Sequence, residues 1–325
     1  MIDNQRPIGT GFTAASTAAA VLAGVDLTGR NMIVTGGHGR LGREVTRALA
    51  SAGASVTVAS RDATRARAAV ASIPGVQVEK LDLTDPASVD AFAERWISSG
   101  RPLHALVNNA AMLNTPERSL DARGNEISFS TSHLGHFQLT RALLPALRQA
   151  DGARVVNVTS GAARFGQIRW DDLAFSKDYN PGAAYGQSKR ANVLFTVELD
   201  RRYADEGIRA FAAHPGVIIG PGPQDPNRLA SYRAQGLVDE NGATIIDPEN
   251  GKKTIEQGAA NLVFASASAL LYGIGGVYLK DSDVAILDDE VRPLTADSIP
   301  SDANSAMLDP EDALRLWTLS ERLLA

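Results

Sequence analysis

The 325-residue sequence predicts an α/β fold of three layers, a doubly wound parallel sheet of about seven strands with helices on both faces. Three observations predict it. Short apolar runs recur at 31–35 (NMIVT), 55–59 (SVTVA), 76–81 (VQVEKL), 103–108 (LHALVN), 154–158 (RVVNV), 208–213 (IRAFAA) and 275–279 (GGVYL). Helical periodicities separate them, at 40–52, 62–72, 86–98, 126–149, 183–206 and 254–268. The apolar runs also show little polar alternation, which marks strands covered on both sides.

Taken in order, residues 1–25 read as a helical lead-in. The segment AASTAAAVLAGV is too short to cross a bilayer, and Arg6 alone supplies a positive charge before it, which does not fit a signal peptide. The first strand runs into TGGHGRLG (35–42), which opens the next helix. Glycines there permit a tight turn and let a phosphate approach the free N–H groups and positive dipole end of the helix. The second strand ends VASRD. A carboxylate at this place favours NAD, and Asp62 lies about twenty residues beyond the last glycine, the spacing expected of a ribose-binding acid. Asp62 also stands where DATRARAAVAS needs an N-cap. Arg61, with Arg40, is then left to face the adenosine ribose, which favours NADP, with NAD as the alternative.

Residues 26–325 read as one domain ended by the amphipathic helix PEDALRLWTLSERLL. The stretch 220–252, rich in Pro, Gly, Asp and Asn, is too long for an ordinary connection and is expected to act as a substrate lid. With 44% apolar and 21% charged residues the chain can build a sizeable core. Its net charge of −5 argues against nucleic acid as a partner. The absence of cysteine removes disulfides, thiolate metal sites and a Cys nucleophile, and fits a cytoplasmic location. No apolar run reaches transmembrane length, so no membrane partner is expected.

Residues 182–192 read GAAYGQSKRAN, with Tyr185 one helical turn before Lys189. Such a pair can be a surface contact worth a few tenths of a kcal/mol. It can also be chemical, since an ammonium near a phenol favours the phenolate. His133 and His136 lie three apart but bring no acidic ligand, so they read as packing residues and no metal is expected. His214, before Pro215, reads as structural. Trp170, Phe175 and Tyr179 fit either the core or an apolar substrate wall.

Together these features resemble the short-chain dehydrogenase/reductase family, from about residue 26 to 280. The resemblance is carried by the glycine turn, LDL (81–83), LVNNAA (106–111), VVNVTS (155–160), YGQSK and HPGVI (214–218). It implies a Rossmann-type domain with a catalytic set of Ser160, Tyr185 and Lys189. It further implies cofactor contacts from Gly36, His38, Gly39, Arg40 and Leu41 of the turn, and from Arg61. Asp82 and Leu83 would meet the adenine, and Asn109 and Ala110 would line the same side. Tyr185, Lys189, Pro215, Gly216 and Ile218 would lie by the nicotinamide end. HLGHFQLT, the long Ser160–Tyr185 interval and SKRANVLFTVEL are similar to a subgroup around retinol dehydrogenases and WW-domain-containing oxidoreductases, in its soluble bacterial form.

Three positions depart from the family pattern. The middle glycine of the turn stands at Gly39, with Arg40 in its usual place. Ser132 stands where the subgroup has Asn, and joins the expected catalytic set as a proton-relay residue. Gly220 replaces a cofactor-reaching Thr. The expected function is NADP-dependent hydride transfer between the nicotinamide and an alcohol or carbonyl, mid-sized and apolar or aromatic, with Tyr185 as general acid–base. A non-redox member, or a module that senses NADP without turnover, is the alternative. The expected partner is a small-molecule substrate, and a homodimer or homotetramer is the assembly the resemblance would allow.

Overall fold

A computed structural model describes residues 4–112, 116–219, 226–293, 295 and 298–325. The apolar runs become β1 (Asn31–Thr35), β2 (Ser55–Ser60), β3 (Gln77–Lys80), β4 (Ala105–Asn108), β5 (Ala153–Val158) and β6 (Ile208–Ala213). β7 (Val217–Ile218) and β8 (Lys252–Lys253) pair only with each other, and β9 (Val277–Lys280) and β10 (Asp283–Val284) follow. The main sheet runs β10-β9-β6-β5-β4-β1-β2-β3 and is parallel except for β10. β1 has β2 on one side and β4 on the other. The strand order therefore reverses at β1/β4, and the crevice beyond their C-terminal ends is where a doubly wound sheet takes its ligand.

The helices are α1 (Ala18–Val21), α2 (Arg40–Ser51), α3 (Ala63–Val70), α4 (Pro86–Ser98), α5 (Ile127–Phe129), α6 (Gly135–Arg148), α7 (Ala162–Phe165), α8 (Pro181–Tyr203), α9 (Pro226–Ala234), α10 (Ile255–Ala267) and α11 (Pro310–Leu324). Successive strand residues point to opposite layers. Val34, Val56 and Val107 pack with Val45 and Leu49 of α2 and Val263 of α10. Ile33, Leu106 and Val155 pack with Phe92 of α4, Phe137 of α6 and Phe195 of α8. Both sets are fully buried, which is why the strands lack polar alternation. Each such side chain contributes roughly 1.5–3 kcal/mol relative to exposure.

The lead-in differs from expectation. Only Ala18–Val21 is helical, capped by the Thr17 hydroxyl. Residues 5–17 are not helical, because Thr10, Thr13 and Ser16 hydroxyls satisfy nearby backbone N–H groups and compete with a helix. They are pinned to the sheet edge instead. The Gln5 amide donates to the carbonyls of Tyr278 (2.8 Å) and Ala285 (2.7 Å) and accepts from Tyr278 N–H, while Asp283 accepts from the N–H groups of Ile8 and Gly9.

The expected helix over 126–149 is interrupted. A π-helical turn, Ser130–Leu134, separates α5 from α6. Gly135 sits so close to the Leu83 carbonyl that a Cβ there would lie 2.2 Å from the oxygen, and the His136 ring inserts into the carbonyl ladder. In the expected lid, α9 and the turn at 247–251 lead into β8, which ties its end to β7. Gly220 lies outside the described residues.

Candidate active site

β1 delivers the glycine turn to the switch point. Gly36 has φ +62°, and a Cβ on Gly42 would lie 2.4 Å from the Gly36 carbonyl, so this turn excludes side chains on its inner side. α2 begins with Gly39 as a cap that makes no side-chain hydrogen bond, and its first turn has no acid. Free N–H groups and an uncompensated dipole are what a diphosphate needs, so these residues fit a dinucleotide. Arg40 is exposed at the first helical position, and Leu41 leans on the core. The Thr35 hydroxyl accepts from Asn109 N–H (2.9 Å) and Ala110 N–H (3.0 Å), and the Asn109 amide donates to the Thr35 carbonyl (2.9 Å). The Asn109 side chain thus clasps the glycine turn.

At the far end of the crevice Asp62 caps α3, accepting from Arg65 N–H at 2.9 Å. Arg61 is exposed beside it. His38 is half-buried, and burial and the nearby Arg65 hold it below its ordinary pKa. Arg65 joins this cationic rim, and its sequence position gave little sign of it. Among the described residues Arg40, Arg61 and Arg65 form no ion pair. Leu83 is buried, and Asp82 turns one carboxylate oxygen onto the N–H (3.0 Å) and hydroxyl (2.7 Å) of Thr84.

α8 starts at Pro181 behind the Asn180 cap and places Tyr185 and Lys189 on one stripe. The strand end of β5 meets them. Lys189 Nζ donates to the Val158 carbonyl (3.1 Å), which also accepts from the Asn192 amide (3.0 Å), and Thr159 donates to the Lys189 carbonyl (2.9 Å). Ser160 Oγ accepts from Ala162 N–H at 3.2 Å, and the serine side chain stands near enough to the Tyr185 phenol to lower it. The Ser160 proton is therefore free to be donated. A Cβ on Gly166 would lie 2.2 Å from the Gly186 carbonyl, so two glycines let the serine turn approach α8 beside Tyr185.

The sequence led us to expect Lys189 to draw the Tyr185 phenol down. Instead burial pushes the phenol above its ordinary value, and the Ser160 hydrogen bond is what pulls it back. The reason is geometric: the ammonium lies 5.6 Å from the ring centroid and is engaged with Val158. Burial lowers Lys189 itself to about 8.

Ser132 sits inside the π-helical turn, fully buried, and its hydroxyl has no partner. Its carbonyl meets His136 Nδ1 at 3.0 Å, and His136 Nε2 meets the Thr35 hydroxyl at 2.8 Å. A carbonyl only accepts, so Nδ1 carries the proton and Nε2 accepts from Thr35. Behind this lies a buried ladder. Asn108 donates to Thr140 (3.2 Å) and Asn157 (2.8 Å), Asn157 to Thr196 (2.9 Å), and Thr196 to the Asn192 carbonyl (2.9 Å). It ties α6 to α8 through two strands.

His133 packs among Phe129, Phe137 and Phe195 and meets Ser320 at 2.8 Å, as a packing residue should. Among the described residues no cluster of metal-ligating side chains occurs. Phe175 is buried under the Arg169 guanidinium (4.5 Å), and Trp170 lies under Arg315 (4.1 Å), so both serve packing. Gly216, at φ +82°, lies under the Lys253 stem, beside the half-buried Pro215. The Ile218 side chain seats against Gly258 of α10.

Residues 30–222 match the family described as short chain dehydrogenase. A "Probable oxidoreductase" of Streptomyces lividans is 43% identical over 90% of this chain and 97% of its own. Retinol dehydrogenase 12 of Mus musculus is 42% identical over 60% of this chain and 63% of its own length. Among solved structures, an uncharacterized protein from Mycobacterium paratuberculosis superposes with a TM-score of 0.69 at 32% identity, covering 95% of this chain and 97% of that one.

Proposed function

The chain belongs to the short-chain dehydrogenase family of NAD(P)-dependent oxidoreductases, and from that premise we propose that it interconverts a lipophilic alcohol and its carbonyl using NADP(H). The observation that carries the reading is the approach of Ser160 to Tyr185, one helical turn from the buried Lys189 and at the same end of the sheet as the glycine turn. The turn residues Gly36 and Gly39, with the first N–H groups of α2, hold the diphosphate. When bound, the nicotinamide supplies or accepts the hydride.

The protein's own groups handle the proton. Ser160 donates its free hydroxyl proton in a hydrogen bond to the substrate oxygen and orients it. Tyr185 gives its phenolic proton to that oxygen in reduction and takes it back in oxidation. Lys189 turns its ammonium donors to the ribose and so holds it near the reacting carbon. Ser132 offers a buried hydroxyl without a protein partner, and this reading makes it the relay group that passes the proton on from the site. Ser132→Ala is then expected to slow alcohol oxidation several-fold, most at low pH where the proton must leave, and Ser132→Asn to be tolerated. An unchanged pH–rate profile for Ser132→Ala would show that the proton takes another path.

The 2′-phosphate reading rests on the unpaired Arg40, Arg61 and Arg65 and on Asp62 being used as a cap. Arg61→Ala should weaken NADP binding ~10-fold or more, as expected for a charged hydrogen bond worth roughly 1.5–3 kcal/mol, and leave NAD nearly unaffected. Titration calorimetry with both cofactors checks this, and equal losses would assign Arg61 to the fold.

Lipophilic substrates are supported by the likeness to retinol dehydrogenase 12 and by exposed Phe165, Ile286 and Leu287. These stand beside the serine turn, since Arg164 of α7 donates to the Asp288 carbonyl at 2.6 Å. No described helix is long and apolar enough to cross a membrane, and with a cysteine-free chain we place the protein in the cytoplasm. A panel of lipophilic aldehydes, ketones and alcohols, run with NADPH, NADH, NADP and NAD, tests the whole reading. Consumption of neither cofactor across the panel would overturn it.

A further inference from the structure

His214 follows β6 and is buried, and the proton transfer described above makes no use of it. Gly161, directly after Ser160, donates its N–H to His214 Nδ1 at 3.1 Å. The accepting nitrogen has no proton, so the neutral ring carries it on Nε2. Burial and the cations of Lys253 and Lys280 hold the imidazole at a pKa of about 3, so the acceptor persists across the working pH range. Those two lysines pair with Asp281 and Asp302.

The ring is itself fixed. It stacks on Tyr278, with centroids 6.3 Å apart and planes 23° from parallel. The backbone is held as well: the His214 main-chain N–H donates to the Leu279 carbonyl (3.0 Å), and the His214 carbonyl accepts from the Asn261 amide (2.8 Å). On the other side of the peptide there is little slack, because a Cβ on Gly161 would lie 3.1 Å from Ser301 Cβ.

We propose that His214 is a positioning residue for catalysis: by holding the Gly161 N–H it orients the Ser160–Gly161 peptide so that Ser160 Oγ points at Tyr185. It also keeps that N–H from competing for the substrate oxygen. The inference rests on the assignment of Ser160 and Tyr185 to proton transfer. Its consequence is specific. The Ser160 hydroxyl draws the Tyr185 phenol down, so misaligning Ser160 must raise the phenol further.

The experiment compares His214→Leu, which removes the acceptor, with His214→Asn, whose carbonyl oxygen sits near the place of Nδ1, and His214→Gln, whose carbonyl lies one bond farther. His214→Leu is expected to lower kcat 10- to 100-fold, with the NADPH dissociation constant within threefold of wild type. The basic limb of its pH–rate profile should move up by about one pH unit, the order of one lost hydrogen bond to an ionised group. His214→Asn should recover most of kcat and the native profile, and His214→Gln should not. Where His214→Leu fails to fold, the Asn–Gln contrast carries the test. A native profile with kcat within twofold for His214→Leu, or recovery by Gln and not Asn, overturns the proposal. The Tyr185 phenol can also be titrated without turnover, by ultraviolet difference against Tyr185→Phe. A raised phenol in His214→Gln but not His214→Asn upholds the positioning role even if no substrate is turned over, the outcome that would sink the oxidoreductase reading alone. An unmoved phenol in both overturns the positioning role.

Discussion

Tyr185→Phe is expected to lose about 100- to 10,000-fold in kcat while binding NADPH within a few-fold of wild type. The substitution deletes one oxygen and leaves the ring that packs near Lys189, so the site keeps its shape. What disappears is the phenolic proton that stands beside Ser160. Since burial pushes the phenol up, the protonated form dominates at neutral pH and suits reduction, and wild-type oxidation should accelerate as pH rises. That acceleration is expected to vanish in Tyr185→Phe. A residual rate above a tenth of wild type would remove Tyr185 from its role. Steady-state kinetics in both directions, with cofactor binding followed by fluorescence, decides it.

Lys189→Met is expected to abolish turnover to a similar degree and yet stabilise the folded protein at pH 7. The ammonium is fully buried, and its one hydrogen-bond acceptor, the Val158 carbonyl, keeps the Asn192 amide when the lysine is gone. Methionine fills a comparable volume with no charge to desolvate. The sign follows from linkage. Lys189 titrates at about 8 in the folded chain against the ordinary 10.5. Between those values the unfolded chain binds the extra proton, so the lysine's penalty is full below pH 8 and fades as pH rises to 10.5. The stability advantage of Lys189→Met should therefore be largest near pH 7 and shrink steadily across that window. Urea unfolding of both proteins from pH 7 to 10 measures the difference. An advantage independent of pH would mean that the gain is packing alone.

Much of the sheet was legible because its strands are buried on both faces, and continuous runs such as NMIVT and RVVNV have few other uses. A helix start was legible where a cap stands before the run, as with Asp62, whereas α8 begins two residues ahead of the expected 183 because Asn180 caps it. The π-helical turn was not, because its causes are a glycine facing the Leu83 carbonyl and a histidine bonding back to Ser132, both tertiary facts. β10 is two residues long and leaves no periodicity to read. At the site, Tyr185 and Lys189 share one stripe of α8 and Ser160, which only the resemblance had named, stands beside the phenol, but their electrostatics did not follow from spacing. Whether Lys189 acts on the phenol depends on where its head is held, and the Val158 carbonyl settles that. The ladder through Asn108 and Asn157 did leave a trace: both asparagines interrupt apolar runs, and they sit directly opposite each other in register. Arg65 and Thr35 left none, since an arginine on an exposed helix and a threonine ending a strand are ordinary.

The Gln5 amide joins residues 273 positions apart in the chain, and Ile8 and Gly9 reach as far to Asp283. This has a bearing on how the protein is made. Gln5, Ile8 and Gly9 leave the ribosome before any strand of the sheet, but their partners emerge 273 to 275 residues later. Through that interval the β6 edge stands open, with its backbone groups unpaired, and the early segment has nothing to bind. Closing a loop of this span also adds to the entropic cost of the last folding step. The edge is thus exposed during translation and sealed at its end, which makes completion of β9 and the docking of Gln5 the step most open to exchange between neighbouring nascent chains.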